Sequence, residues 1–283
     1  MNKFLALLAC FSGTIFADFN HPSNKIEDDE ITLFQVLGER CSGTNYVKGL
    51  ISENFDKLQD CAKKQRFIHK HFIPWYLNED LVDSNEYYKF PKKNILYVVV
   101  IRNAIDWIRS FYLQPHHVSH RAKKGFDFFI FSKWEPFKPS DLLSEKELYN
   151  SQCNWYSKEC EESKLNHLVY YLDKKNPMTN ANFQNIFELR TVKYLNYLKL
   201  REYVQNIIYV TYEDVKDNPE GFLDYISSLV NISRIEYKKI DTYKNRNEKV
   251  YKEKKYFDLS TKQKEQILNL LDMDLESSFG YQY

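Results

Sequence analysis

Glycine is scarce in this chain, at 7 of 283 residues, so each glycine in a distinctive setting carries information. Cysteine is rarer still. The five thiols, Cys10, Cys41, Cys61, Cys153 and Cys160, make no Cys-x-x-Cys pair and no His/Cys pattern with zinc-ligand spacing, so no metal is expected. Charge of one sign is missing too. The net +1 removes any global attraction to nucleic acid, but it leaves room for a local basic site that takes a small polyanion. Long apolar runs are absent beyond the first residues. Phe4 to Phe16 follows Lys3 and is mostly apolar. It has the length of a signal-peptide core and is too short to span a bilayer. No internal repeat, low-complexity linker or domain boundary stands out.

What remains is enough to fold. Hydrophobic residues make up 43% and aromatics 16%, which supports one large core and excludes wholesale disorder. Residues 1–17 read as a signal peptide ending at Ala17, and 18–283 as a single domain. The alternative for the first segment is an apolar strand or helix of the mature fold. With the signal removed, no transmembrane span is left. A signal places the protein in the secretory pathway or otherwise outside the cell; without one it is cytoplasmic. In an oxidising compartment Cys153 and Cys160 can pair across a short loop, and buried free thiols are the alternative. Asn231-Ile232-Ser233 is a glycosylation sequon with meaning only on that route.

Hydrophobic patterning alternates between strand and helix. Residues 18–30 are polar and acidic, a loose lead-in. Ile31 to Leu37 reads as a buried strand, Gly38 to Thr44 as a turn, and Asn45 to Phe55 as a helix. Phe67 to Phe72 suggests a second strand. Ile95 to Ile101, an unbroken apolar run, suits a central parallel strand covered on both faces. Ala104 to Tyr112 reads as the helix after it, and 143–172 as amphipathic helix. Asn185 to Leu189 suggests a strand, Val192 to Val204 a helix and Ile207 to Val210 a strand. Glu213 to Leu229 includes a helix entered near Asn218-Pro219, and Thr261 to Leu271 forms the last. This order predicts an α/β fold: a central parallel sheet flanked by helices, with a P-loop-like nucleotide-binding arrangement.

Two motifs follow the strongest strands. Gly38-Glu39-Arg40-Cys41-Ser42-Gly43-Thr44-Asn45 lies between strand and helix, where successive N–H groups and a helix N-terminus cradle an anion. Its glycines have P-loop spacing, but Thr44-Asn45 stands where a Walker loop has Lys and Ser/Thr, which disfavours an ATP or GTP hydrolase. An ordinary tight turn is the alternative. Arg102-Asn103-Ala104-Ile105-Asp106, continuing to Arg109-Ser110-Phe111-Tyr112, follows Ile95 to Ile101 directly. Arg102 and Ser110 stand eight apart, and a guanidinium fork with a hydroxyl makes a phosphate clamp.

These residues resemble the sulfotransferase superfamily. Arg40 to Tyr46 is similar to that family's 5′-phosphosulfate loop, Pro-Lys-Ser-Gly-Thr-Thr-Trp or Arg-Ser-Gly-Thr-Thr. The Arg102 segment is similar to its 3′-phosphate motif, Arg-Asn-Pro-x-Asp-x-x-x-Ser-x-Tyr, with Ala104 in place of proline. Thr211-Tyr212-Glu213-Asp214-Val215 resembles its Tyr-Glu-Asp-Leu segment, whose Tyr lies near the adenine; a Tyr closing a sheet edge is the alternative for Tyr212. Phe279-Gly280-Tyr281 is similar to the close of many members. Aligned on Ser-Gly-Thr, Cys41 falls where cytosolic members carry a Lys, and Arg40 or Lys70 is left to supply that charge.

The resemblance implies that PAPS (3′-phosphoadenosine 5′-phosphosulfate) is the co-substrate, held by Arg40, Cys41, Ser42, Gly43, Thr44, Asn45, Arg102, Ser110 and Tyr212. It also implies transfer of a sulfonate to a hydroxyl or amine of a small-molecule, glycan or protein acceptor, with no nucleic-acid partner. Many members carry Lys-x-His-x-Pro, and His69-Lys70-His71 precedes Pro74 here. A near-neutral imidazole suits removal of the acceptor proton: His71, or His69, or neither. His116, His117 and His120 form a second cluster, read as a loop face. Residues 113–200 match nothing and are expected to shape the acceptor site, with Arg190 and Lys193 facing it. The basic stretch Lys244 to Lys255 stands where the family often has a closing loop, or is a solvated charge run. A kinase with a divergent P-loop and a catalytically inactive PAPS-binding module are the competing readings.

Overall fold

The computed structural model describes residues 21–27, 30–61, 93–115, 118–134, 176–241, 250 and 255–283. The expected strand at 67–72, the helix at 143–172, the signal peptide, Cys153 and Cys160 lie outside these residues.

Four strands form one sheet: β1 (Leu33–Gly38), β2 (Gln59–Asp60), β3 (Ile95–Ile101) and β4 (Ile207–Thr211). Their order is β2-β1-β3-β4 and every pairing is parallel. The register runs from Leu33 opposite Ile95 to Gly38 opposite Val100, and from Tyr97 opposite Ile207 to Ile101 opposite Thr211. All seven residues of β3 are buried, as a strand with layers on both faces must be.

The side-chain alternation of β3 sorts two cores. Leu96, Val98 and Val100 meet Phe34, Val36, Ile208 and Val210, under Val47, Leu50 and Ile51 of α1 (Thr44–Asn54). Phe222, Leu223 and Ile226 of a later helix complete that face. Ile95, Tyr97, Val99 and Ile101 face the other way, onto Tyr194, Tyr197, Leu200 and Phe279. A third cluster gathers α2 (Ala104–Leu113), α3 (Ser119–Ala122) and α4 (Phe126–Phe131) around Trp107, Phe111, Phe129 and Trp134.

Asn185 to Leu189, expected as a strand, is the start of helix α5 (Ile186–Leu200). The Asn185 side chain accepts from the N–H groups of Phe187 and Glu188, an N-cap that closes the first turn before strand pairing can compete. Asn218 likewise caps α7 (Pro219–Val230), which follows the short α6 (Tyr212–Asp217). The last helices are α8 (Thr261–Leu268), opened by a Ser260/Gln263 capping box, and α9 (Met273–Ser278). The lead-in is less loose than its composition suggests. Lys25 bridges Ile207 in antiparallel fashion, and the His21 ring stacks on Phe279 at 5.1 Å. Among the described residues no helix is long and apolar enough to cross a membrane.

Leu96 is fully buried between the sheet and α1. Leu96→Ala is expected to lower unfolding stability by about 2–5 kcal/mol through lost burial and the cavity left behind. Urea denaturation measures it, and a loss well under 1 kcal/mol (roughly the Ile→Val scale) would contradict the central placing of β3.

Candidate functional site

Because β1, β3 and β4 are parallel, the loops at their carboxyl ends share one rim, where open α/β sheets bind ligands. The first loop begins at Gly38. A Cβ there would lie 2.6 Å from the Val100 carbonyl and 2.7 Å from Ser42 Oγ, so only glycine lets the loop leave β1 this close to β3. Cys41 and Gly43 then take left-handed backbone, at φ 63° and 99°. Gly43 opens α1 with no side-chain cap, so the helix N-terminus is left to its own N–H groups. Left-handed turns feeding a helix N-terminus form a concavity suited to an anion.

Arg102 leaves β3 beside this loop. Its Nη1 donates to the Cys41 carbonyl at 2.9 Å and its Nη2 to Tyr256 Oη at 2.7 Å. Its guanidinium lies over the Tyr212 ring, 4.5 Å from the centroid, within cation–π range. Tyr212, just past β4, covers the loop: a Cβ on Gly43 would collide with the Tyr212 ring. The three segments singled out in the sequence therefore meet at Arg102, Gly43 and Tyr212. Ser110 is buried on α2, eight residues on from Arg102. Of the other loop residues, Ser42 and Thr44 are buried, Cys41 half-buried and Asn45 exposed.

The rim carries more charge than its surface shows. Glu39 lies behind the loop, where its Oε1 accepts from the Arg40 backbone N–H at 2.6 Å and its Oε2 meets Lys193 Nζ at 2.8 Å. The Arg40 guanidinium is 3.3 Å from Glu39 Oε1 and only 1% exposed. It acts from behind the loop instead of pointing out of it. Burial alone would raise the Glu39 carboxyl, but Lys193 and Arg40 outweigh it and hold the group below its ordinary value. Lys193, expected to face the acceptor cleft, is thus an inward partner of the loop. Arg190, expected there too, is fully buried. It clamps Glu276 of α9 in bidentate fashion, at 2.6 and 2.9 Å, and donates to the Arg102 carbonyl at 2.7 Å. Both cations turn inward because buried carboxylates await them, a pairing that the residue types alone do not reveal.

The Arg102 turn has further partners, of which Tyr256 lies in no motif. Tyr256 follows the basic stretch and holds Arg102; it also lies 4.9 Å beneath Arg109, which pairs with Asp106. Glu213 accepts from the Asn103 N–H and from Tyr281 Oη, with Arg102 Nε 3.9 Å away. Burial lifts its carboxyl above the ordinary value against those hydrogen bonds and the Arg102 charge. Glu213 stood inside a recognised segment, and its acidic type beside Tyr212 was the available signal. His69, Lys70 and His71 lie outside the described residues, as do His116, His117 and the side chain of His120. Among the described residues no group of three or more His, Cys, Asp or Glu side chains is arranged to hold a metal ion.

Chemically, the rim offers a backbone cradle, a guanidinium in reach of it and an aromatic face, with buried cations behind. That set suits an anionic nucleotide. No family model matches the chain, and neither a curated protein nor a solved structure matches it.

Glu39 gives the site a pH signature. Its folded pKa is depressed, so the stability it confers is present above the ordinary value of 4.5 and is lost as pH falls through the lower folded value. Glu39→Gln removes the carboxylate that pairs with buried Lys193 and Arg40, which costs about 3–5 kcal/mol near neutrality. The deficit should narrow in acid. Urea unfolding of both proteins at neutral pH and near about pH 3 measures this, and a deficit of the same size at both would refute the ion pair.

Proposed function

We propose that this rim binds PAPS and that the protein transfers its sulfonate to a hydroxyl or amine of an acceptor. One observation carries the reading: the Gly38–Asn45 loop, Arg102 and Tyr212, drawn from three separate segments that resemble one family, lie in mutual contact. In this reading the loop's N–H groups hold the 5′-phosphosulfate, Arg102 and Ser110 take the 3′-phosphate, and the Tyr212 ring lies against the adenine. Sulfuryl transfer, like phosphoryl transfer, asks the protein for positioning and positive charge more than for covalent chemistry. The acceptor oxygen or nitrogen forms the new bond to sulfur as the bond from sulfur to the leaving phosphate oxygen breaks in line.

His71 is assigned the acceptor proton, with His69 as the alternative. With Arg40 turned inward to Glu39, Lys70 is assigned the charge on the leaving phosphate, and Arg40 and Lys193 add to the positive field behind the loop. The acceptor is a small molecule, a glycan or a protein side chain, met in a secretory lumen that imports PAPS. Incubation with labelled PAPS and acceptors of all three classes tests the activity. Binding without turnover would make the protein a PAPS-binding module, and magnesium-dependent use of ATP would make it a kinase.

Two substitutions divide the roles. A charge-assisted hydrogen bond contributes on the order of 1.5–3 kcal/mol, so Arg102→Ala should weaken PAPS binding by roughly 10–100-fold. It should weaken an analogue lacking the 3′-phosphate far less, and equal calorimetric losses on both ligands would instead make Arg102 a support of the fold. His71→Ala should lower turnover by roughly 10²–10⁴-fold while cofactor affinity stays near normal. Unchanged turnover would remove His71 from the base role.

A further inference from the structure

The turn that aims Arg102 is held from outside its own segment. Within the segment, Asn103 caps α2 by accepting from the N–H groups of Ile105 and Asp106, and its carbonyl takes the Trp107 N–H. That leaves three backbone groups to be satisfied: the Arg102 carbonyl, the Asn103 N–H and the Ala104 N–H. Arg190 takes the first at 2.7 Å. Glu213 takes the second at 3.3 Å. The third donates to the phenol oxygen of Tyr283 at 2.9 Å. A proline at 104 would have no N–H to give; alanine supplies one, at a helix start where N–H groups lack intrahelical acceptors.

Tyr283 reaches this point through a specific piece of backbone. Helix α9 is followed, past its C-cap Phe279, by Gly280, which is left-handed at φ 85°. The Gly280 N–H returns to the Ser277 carbonyl and the Tyr281 N–H to the Glu276 carbonyl, the two bonds of a Schellman turn. The turn throws 281–283 back across the carboxyl rim. Tyr281 and Tyr283, two apart, then point to the same side, with ring centroids 6.3 Å apart. The Tyr281 hydroxyl donates to Glu213 Oε2 at 2.7 Å, and the Tyr283 hydroxyl donates to Glu276 Oε2 at 2.8 Å while accepting from Ala104. Each tyrosine therefore grips a carboxylate that itself bears on the Arg102 turn. Glu213 stands 3.9 Å from Arg102 Nε, and Glu276 fixes Arg190, which holds the Arg102 carbonyl.

We propose that Tyr281 and Tyr283 form a strap that sets the direction of Arg102, making them positioning residues for recognition of a 3′-phosphorylated nucleotide. The proposal rests on the nucleotide reading above and adds to it the residues that make Arg102 selective. The strap has no need to touch the ligand. It fixes where the guanidinium fork points, and a fork displaced by a fraction of a bond length pairs poorly with a phosphate. Its loss should therefore appear in discrimination, leaving general affinity in place.

Tyr283→Phe removes one hydroxyl and keeps the ring, so folding is spared, and Tyr281→Phe is the second variant. Calorimetry compares adenosine 3′,5′-bisphosphate with adenosine 5′-phosphate on the full chain. Each variant should bind the bisphosphate about three- to tenfold more weakly, the worth of one hydrogen bond, and the 5′-phosphate unchanged. Amide exchange across residues 102–107 should quicken in Tyr283→Phe at unchanged global stability. Variants that discriminate as well as the wild type, or that lose both ligands equally, would overturn the strap. A wild type that does not distinguish the two nucleotides overturns the nucleotide reading itself, and with it the strap's part in recognition. Exchange then decides what is left: unchanged rates at 102–107 would show that the strap does not hold the turn at all.

Discussion

The Arg190–Glu276 pair is the contact on which the carboxyl rim depends. Both groups are buried, so neither charge can be left alone: removing one partner of such a pair costs about 3–5 kcal/mol. Arg190 reaches across from α5 to Glu276 on α9 and to the end of β3 at once. Its guanidinium also lies over the Trp107 ring at 4.9 Å and the Tyr194 ring at 4.3 Å. Trp107 in turn donates from its indole N–H to the Arg40 carbonyl at 2.7 Å, which ties the first loop to α2. One guanidinium thus joins two helices, the β3 exit and, through Trp107, the loop after β1. The reach and flat donor fork of arginine suit that position, and a lysine there would satisfy only part of it.

Much of the fold was legible because it rests on local signals. Ile95 to Ile101 stands out as an unbroken run of aliphatic residues and one tyrosine, and it matches β3 residue for residue. The strands at 33–38 and 207–211 and the helices at 104–113 and 219–230 lie within two residues of their expected bounds. Asn185 marks where a local pattern fits two structures. Ile186, Phe187 and Leu189 satisfy either a short buried strand or one turn of a buried helix, and length separates the two only once the cap is recognised. Asn185 was that cap, but a lone asparagine before an apolar run also suits the end of a turn. Strand β2 has two residues and offers no pattern to read.

The site was legible in its loops and illegible in its charges. Gly38, Gly43 and Arg102 stand out by their spacing from strands and Tyr212 by the resemblance of its segment, and the parallel sheet brings them together. Lys193 and Arg190 were given the wrong direction because their partners, Glu39 and Glu276, lie more than eighty positions away in sequence. A single sequence does not say which of 40 basic and 39 acidic residues pair. Tyr256 had no motif at all, and its hold on Arg102 follows only from the fold.

The parallel sheet also fixes what lies on the opposite rim. Asn94 and Ile31 there, at the amino ends of β3 and β1, share a shallow cavity with Asn231 and Ile232. Asn231 is exposed in a left-handed conformation at the end of α7, and it heads the sequon. Anything attached at Asn231, whether a sugar, a fluorophore or a tether to a surface, is carried on the far side of the molecule. A chain immobilised through that residue would present its loop rim outward.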